Sequence, residues 1–303
     1  MVFNKRNIAA FLLSRFLIAS GKVGKVKKKA ANGDFILSVY FHDPSKKLFE
    51  SCVKWFLKKG YSFISTDELA EIARGAKPFP RAAVIFTVDD GWSGNKENIA
   101  AVAKSYSIPV TIFASTQPIA TGEAYWWSYI AAANKKGLIS QSVSALKKVS
   151  NEERVSIVNT VKTQLTLKRE ALSIDELKTI SNNGFVSIGS HTVTHPILIQ
   201  CSDEQSAFEI AESKKILENW LKKDISHFAY PNGLYNEREI NFLKESGYKT
   251  AYTTIPQYIT VENFKELYSL PRFDVLENIS FSENICRMTG AWFDKPSFNA
   301  KNK

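Results

Sequence analysis

The sequence predicts an α/β fold with parallel strands, and two observations carry this prediction. The runs 35–41 and 82–88 are almost continuously apolar, with many β-branched and aromatic residues, which is typical of strands buried on both faces. Segments with helical periodicity alternate with such runs, as in 47–59, where apolar residues recur on one face. Because parallel strands need long crossovers, which are usually helices, the alternation indicates a parallel sheet covered by helices.

The other elements follow the same alternation. Further strands are predicted at 61–65, 110–114, 185–189, 224–230, 249–254 and 267–273. Helices are predicted to start at the capping signal Ser65-Thr66-Asp67-Glu68 and to cover 95–106, 203–221 and 236–246. From 116 to 183 only helical patterns occur.

Two adjacent carboxylates follow the 82–88 strand, in Thr87-Val88-Asp89-Asp90-Gly91. Adjacent side chains at a strand end point in different directions, so Asp89 and Asp90 can have different roles. A general base beside a metal ligand fits this pattern. A plain surface turn is the alternative interpretation.

Two of the four histidines lie four residues apart, in Ser190-His191-Thr192-Val193-Thr194-His195-Pro196. They also follow a strand-like run. One aspartate and two histidines form the open three-ligand set of a catalytic zinc ion or a similar divalent ion. The alternative is a plain histidine pair on a helix surface.

These motifs resemble those of the polysaccharide deacetylase family, the NodB-homology group of carbohydrate esterase family 4. The segments 87–91 and 191–196 look like its first and second motifs, and Phe228-Ala229-Tyr230-Pro231-Asn232-Gly233 is similar to a variant third motif of one branch. The resemblance extends from about 35 to 274. It implies a distorted (β/α) barrel, with a helical insertion at about 116–183, since the first two motifs are unusually far apart.

The resemblance also implies roles for individual residues. Asp89 would be the general base, and Asp90, His191 and His195 would hold one divalent ion, with Zn²⁺ the expected metal. The backbone N–H of Asn232 would donate to the oxyanion. Tyr230 and Pro231, in the same motif, are expected at the substrate.

The chain departs from the family pattern at two places. Phe228 stands where the family has an arginine that orients the base, and Arg272, at another predicted strand end, is the candidate replacement for it; a merely solvated arginine is the alternative. The late Leu-x-His motif that supplies the general acid is absent, because no histidine follows His227. His42 resembles the Tyr-His element of the branch that includes the poly-N-acetylglucosamine deacetylases, so it is the candidate acid, with a structural loop histidine as the alternative. For His227 itself a structural role is expected.

Aromatic and sulfur-containing side chains allow fewer conclusions. In Tyr125-Trp126-Trp127 the indoles of Trp126 and Trp127 are candidates for stacking on a sugar ring, although such a cluster also suits a core. The three cysteines form neither a disulfide framework nor a metal motif, and are interpreted as small buried residues.

Charge is concentrated at one end of the chain. The net charge is +10, of which residues 1–30 carry +8, with no acidic residue among them. The remaining residues are close to neutral, so no basic face for nucleic acid is expected. The apolar stretch 8–20 is shorter than the ~20 residues of a membrane span, and its flanking charges fit a signal peptide poorly.

Two interpretations of residues 1–30 stay open. One is a short helix on an anionic membrane surface, and the other is a helix packed on the domain, followed by a solvated basic linker. A peripheral membrane or cytoplasmic location is expected. The predicted organisation is this N-terminal segment, a catalytic domain at 31–294 and a polar tail at 295–303.

The predicted function is metal-dependent removal of an N-acetyl group from a sugar in a bacterial polysaccharide or lipid-linked glycan. The alternatives are hydrolysis of another amide or ester, such as a formyl-sugar lipid or an O-acetyl group, and a catalytically inactive barrel that binds glycan.

Overall fold

The computed structural model describes residues 4–293, so the predicted tail at 295–303 lies outside the described residues. Eight strands form one sheet: β1 Leu37–Phe41, β2 Ser62–Phe63, β3 Ala83–Val88, β4 Val110–Ala114, β5 Val186–Ser190, β6 His227–Ala229, β7 Thr250–Tyr252 and β8 Phe273–Asp274. The α-helices within the described residues are α1 Lys5–Ala19, α2 Lys22–Asn32, α3 Lys46–Lys58, α4 Thr66–Ala73, α5 Ala101–Tyr106, α6 Thr116–Thr121, α7 Trp126–Lys135, α8 Val143–Leu146, α9 Asn151–Lys162, α10 Ile174–Ser181, α11 Asp203–Leu221, α12 Glu237–Glu245 and α13 Phe281–Met288. A π-helical turn, Lys96–Ala100, leads directly into α5.

All pairings between strands are parallel, in the order β7-β6-β5-β4-β3-β1-β8, with the short β2 beside β3. The two ends of this path also meet, because a parallel bridge joins Tyr252 of β7 to Leu270, which shortly precedes β8. The sheet is therefore curled on itself. The predicted distorted (β/α) barrel is confirmed.

Side chains alternate between the two faces of this curled sheet. Along β3, Ala83 and Ile85 belong to the smaller apolar cluster inside the barrel, whereas Val84 and Phe86 belong to the larger cluster under the surrounding helices. Because side chains of a strand alternate, the same period carries Asp89 to the interior side.

The helical segment between β4 and β5 has a small apolar core of its own. Its members come from α7, α8, α9 and the loop after α9, and include Trp126, Ile130, Leu146 and Val158. This core holds the helices of the segment together. Residues of the segment lie beside Asp89 and His191, at the carboxyl end of the sheet.

The N-terminal helices lie on the outside of the barrel. The α1 helix packs on α13, and α2 ends beside β3, where the Ala82 N–H donates to the Ala30 carbonyl at 2.7 Å. The basic tract 25–29 is thus part of a helix and not a linker. None of the helices in the described part of the chain is both long and apolar enough to cross a bilayer.

Candidate active site

A buried ion pair lies where β3 ends and β8 begins. Arg272 donates from Nη1 to Oδ1 of Asp89 at 2.7 Å and from Nη2 to Oδ2 at 2.8 Å. Asp89 is 2% exposed and Arg272 fully buried. A two-pronged contact of this kind fixes both the position and the orientation of the carboxylate.

Three further contacts hold the guanidinium in place. Its Nε donates to the Thr253 carbonyl at 2.9 Å, and Nη1 also donates to the Thr87 hydroxyl at 2.9 Å. The Tyr40 ring lies 4.5 Å from its carbon, a distance suited to a cation–π contact. Arg272 is therefore not a solvated arginine, and it occupies the place predicted for it beside Asp89.

Asp90 points to the opposite side, toward the two histidines. Its Oδ1 lies 3.4 Å from Nε2 of His191 and 3.3 Å from Nε2 of His195. All three residues are buried, and their ligand atoms lie within 4.8 Å of one another. The structure thus brings together the three residues predicted as metal ligands.

The chemistry of this donor set fits a small divalent cation. Nδ1 of His191 lies 2.7 Å from the Ala229 carbonyl, which can only accept, so Nδ1 donates in this contact and Nε2 is the ring nitrogen that faces Asp90 and can bind a metal. Ligands about 2.0–2.1 Å from a tetrahedral ion lie roughly 3.3–3.4 Å apart, and these are the separations between Asp90 and the histidines. The residues present therefore fit a zinc-like ion.

Burial and charge set the protonation states of these groups. Burial tends to raise the pKa of Asp89, but the Arg272 guanidinium outweighs it, and the pKa is lowered. For Asp90, burial is likewise outweighed by the contacts of its carboxylate with the imidazoles of His191 and His195, so its pKa lies well below the usual value. Burial lowers the pKa of His195 to about 4, so at neutral pH the site holds two carboxylates and a neutral His195.

Two aromatic residues, Trp92 and Tyr125, fix the orientation of Asp90 by hydrogen bonds. The indole Nε1 of Trp92 donates to its Oδ2 at 2.8 Å, which leaves Oδ1 for the histidines. The Tyr125 hydroxyl donates to the Asp90 backbone carbonyl at 3.0 Å. Partners of this kind, outside the ligand set itself, fix the direction of a metal ligand.

The backbone is strained at several positions of the site. Asp90, Thr192, His195 and Asn232 all have positive φ, between 55° and 77°, although none is glycine. Such conformations cost of order 1–3 kcal/mol each, and they persist only where the surroundings enforce them. Four of the eight non-glycine residues with positive φ in the described part of the chain thus lie around this pocket.

The loop after β5 is held by a buried carboxylate from α11. Glu209 accepts from the N–H groups of Val193 and Thr194, both at 2.8 Å, and from the Thr194 hydroxyl at 2.5 Å. On its other side the His195 carbonyl accepts from Trp126 Nε1 at 3.1 Å and from Arg154 at 3.3 Å. The insertion and α11 thus hold the second histidine from two directions.

An open pocket of about 330 Å³ lies over these groups. Its walls include the two aspartates and both metal-site histidines, and they are completed by His42, Trp92, Trp127, Val143, Lys147, Asn232 and Thr254. Lys147, which directly follows α8, donates from Nζ to Oδ1 of Asn232 at 2.8 Å. The insertion therefore closes one side of the pocket against the 231–233 turn.

With this geometry established, the chain can be compared with known proteins. The family model described as polysaccharide deacetylase matches residues 76–251, more than half of the sequence. The chain belongs to the polysaccharide deacetylase family. It is therefore a hydrolase of carbon–nitrogen bonds other than peptide bonds.

Individual relatives agree with this assignment. The deacetylase is 24% identical over 237 residues to the YxkH protein of Bacillus subtilis (78% of this chain, 67% of the relative), whose name places it among polysaccharide deacetylases. It is 23% identical over 271 residues to the poly-β-1,6-N-acetyl-D-glucosamine N-deacetylase of Staphylococcus aureus, covering 83% and 77%.

Solved structures share its fold. IcaB from Ammonifex degensii superposes with a TM-score of 0.60 at 16% identity, covering 86% of this chain and 97% of that one. The Streptococcus pyogenes deacetylase PplD, in complex with acetate, superposes with a TM-score of 0.59 at 22% identity, covering 84% and 96%.

Three residues expected at the substrate do not reach the pocket of the deacetylase. Tyr230 is fully buried, and its hydroxyl donates to the Tyr268 carbonyl at 2.9 Å. Pro231 is buried behind Asn232 and is not part of the pocket wall. Trp126 is 8% exposed, lies under Arg154 and supports His195, so it is a positioning residue in the insertion core. Trp127 alone among the predicted aromatic contacts lines the pocket.

The remaining predicted histidines differ in their surroundings. His42 has an exposed side chain in the pocket wall. His227 lies near the opposite end of the barrel, where it contacts the Thr250 hydroxyl at 2.8 Å and Asp67 at 2.9 Å. It lines a separate cavity of about 480 Å³ that lies away from the metal-site residues.

Sequence reasoning did not find Trp92, Lys147, Arg154 or Glu209. Trp92 directly follows Asp-Asp-Gly, so its position could have identified it. The other three lie in helical segments rich in charged residues and act through contacts between distant parts of the chain. No local signal distinguishes them.

Proposed function

We propose that this deacetylase removes N-acetyl groups from an N-acetylated sugar in a bacterial polysaccharide or lipid-linked glycan, with the help of one divalent ion. The proposal rests on one observation: a fixed carboxylate and a set of possible metal ligands lie in the same pocket. A carboxylate held by Arg272 lies beside the open ligand set of Asp90, His191 and His195.

Zinc is the proposed ion, because two imidazoles and one carboxylate match its preferences in catalytic sites. When bound, it would lower the pKa of a water molecule and polarise the acetyl carbonyl. Asp90, His191 and His195 would hold it, and Trp92 and Ala229 would keep the first two ligands in position.

The residues of the chain supply the proton transfers. As a water oxygen adds to the acetyl carbon, Asp89 accepts the proton of that water, and Arg272 keeps the carboxylate aimed. The backbone N–H of Asn232 donates to the oxyanion that develops on the acetyl oxygen. When the carbon–nitrogen bond breaks, His42 gives a proton to the departing amine, so the products are acetate and a free amino sugar.

The nature of the substrate is supported by the pocket and by one relative. The Staphylococcus aureus relative is named for poly-β-1,6-N-acetyl-D-glucosamine. At about 330 Å³ the pocket is at the small end of the range of roughly 300–1,000 Å³ for ligand sites, which suits one sugar ring with the neighbouring units outside. The face of Trp127 offers an apolar wall to that ring.

The test is the release of acetate and free amine from β-1,6-linked N-acetylglucosamine oligomers, measured on zinc-loaded protein. The two products should appear in equal amounts. Asp89→Asn should lose the activity, whereas the matched change Asp175→Asn, at an exposed position of α10, should keep it. Release of acetate only from O-acetylated sugars would replace the proposal by an esterase. No release from either class by the loaded protein would favour a glycan-binding barrel.

A further inference from the structure

The α1 helix is attached to the barrel by its small and polar side chains. Asn7, Ala10 and Ser14 are its buried residues. The Asn7 amide donates to the Asn278 carbonyl at 3.2 Å, and the Ser14 hydroxyl donates to that of Ser282 at 2.7 Å. This is the reverse of an ordinary surface helix, which turns its apolar face to the core.

Four large apolar side chains of α1 face outward instead. Ile8, Leu12 and Phe16 recur every four residues and are 49%, 62% and 66% exposed, and Leu13 beside them is 48% exposed. Large apolar side chains gathered on one exposed face mark an interaction surface. We call the face formed by Ile8, Leu12, Leu13 and Phe16 the outer face of α1.

Exposed positive charge is present on the same two N-terminal helices. Lys5 and Arg15 are exposed on α1 itself, and the exposed lysines of α2 are Lys25, Lys27, Lys28 and Lys29. Residues 1–30 contain no acidic side chain. Arg6 is excluded from this set, since it is paired with Glu283 at 2.6 Å. Exposed apolar side chains together with uncompensated basic side chains are the combination that binds an anionic lipid surface.

We propose that the outer face of α1 docks into the surface of an anionic lipid bilayer, with the lysines of α2 on the lipid headgroups. The helix lies in the interface and does not span the membrane, because its 15 residues are too short. Apolar side chains supply the insertion, and the basic side chains supply attraction of about 1 kcal/mol, or about fivefold in affinity, for each charge near the surface.

This attachment has a consequence for the catalytic end of the barrel. Asn278, which anchors the start of α1, lies in the loop that follows β8. Asp89, Asp90 and His191 also follow the carboxyl ends of their strands, so both features lie toward the same end of the barrel. Docking by α1 would therefore hold the pocket near glycans that leave or approach the membrane surface. The docking itself does not depend on the reaction proposed above.

The experiment is sedimentation of the full chain with vesicles of phosphatidylglycerol and phosphatidylcholine in equal parts, compared with pure phosphatidylcholine, at low and high salt. Wild type should bind the anionic vesicles at low salt and much less at high salt. The double variant L12S/F16S should lose at least tenfold in affinity. The variant K25Q/K27Q/K28Q/K29Q, which removes four of the six exposed basic side chains in this set, should lose most of the salt-sensitive part. The matched control is Phe208→Ser, which removes a 55% exposed phenylalanine from α11 and should bind as wild type does.

Release of acetate from soluble oligomers, together with circular dichroism, checks that each variant is folded. Equal binding by L12S/F16S and wild type, or equal binding of wild type to neutral and anionic vesicles, would overturn the proposal. So would a wild-type dimer, measured by light scattering, that L12S/F16S converts to monomers while neither protein binds vesicles. A failure of catalysis with vesicle binding intact would count against the proposed reaction only.

Discussion

Asp89 is paired with an arginine that lies far along the chain from it, Arg272. Arg272 lies directly before β8, and not at the predicted strand end, and it places its guanidinium against Asp89. In the family pattern, the arginine that contacts this carboxylate stands at the position of Phe228. Phe228 is fully buried in the core under the helices and contacts Tyr230 and Tyr248. The structure therefore shows the contact between Arg272 and Asp89, and the catalytic role of the pair is our proposal.

The two hydrogen bonds from Arg272 to Asp89 give a first prediction. Arg272→Lys keeps the charge but cannot make two parallel hydrogen bonds, so Asp89 should lose its fixed orientation and kcat should fall about 10–100-fold, in line with the cost of small misplacements. Arg272→Gln should also destabilise the fold by about 3–5 kcal/mol, because it leaves a buried carboxylate unpaired. Steady-state kinetics and urea unfolding measure the two effects, with the exposed Arg74→Lys as the matched control. Activity of Arg272→Lys within a factor of two of wild type would remove Arg272 from the mechanism.

His42 gives a second prediction, which concerns the leaving group. An amine must be protonated to depart, whereas an ester with a good leaving group needs little help. His42→Ala should therefore keep its metal, lose most activity on acetamides and lose much less on such esters. The ratio of the two rates is the measurement. An equal fall in both rates would mean that His42 is not the general acid.

At the scale of elements, the conformation of the loop after β5, which carries His191 and His195, is held mainly by residues outside the loop. The spacing of His191 and His195 indicated a metal site, and their position after a strand placed that site at the carboxyl end of the sheet. What the spacing could not show is how His195 is held at a positive φ of 55°. Glu209, Trp126 and Arg154 hold the loop through hydrogen bonds between residues that lie 15 to 69 positions apart in the chain.

Glu209 therefore provides a prediction for an element. Glu209→Ala removes the acceptor of two backbone N–H groups and of the Thr194 hydroxyl, so the loop should relax and the affinity for zinc should fall about 10–100-fold, as for other residues that support metal ligands. Competitive zinc titration measures this, with Glu212→Ala, one turn further along α11 and only partly buried, as the control. An unchanged zinc affinity with an unchanged melting temperature would show that the loop does not need this carboxylate.

At the scale of the whole molecule, elements with a strong local pattern were predicted well. The 110–114 and 203–221 segments have the predicted bounds as β4 and α11. The α13 helix was not predicted, because its buried residues include Glu283 and Asn284, whose partners Arg6 and Leu276 satisfy them in three dimensions. The sequence pattern does not reveal such partners from distant parts of the chain. A helix within residues 1–30 was expected, but its attachment to the barrel through Asn7, Ala10 and Ser14 was not.

The central claim is that the proton acceptor and the metal ligands are separate residues that act in one pocket. It is tested most directly by measuring bound zinc and deacetylation turnover on the same preparations of wild type, Asp89→Asn and His195→Ala. We expect Asp89→Asn to retain one zinc ion per chain and lose about 10²–10⁴-fold in turnover, and His195→Ala to lose both together. A loss of less than tenfold in Asp89→Asn, or full zinc occupancy in His195→Ala, would contradict the account.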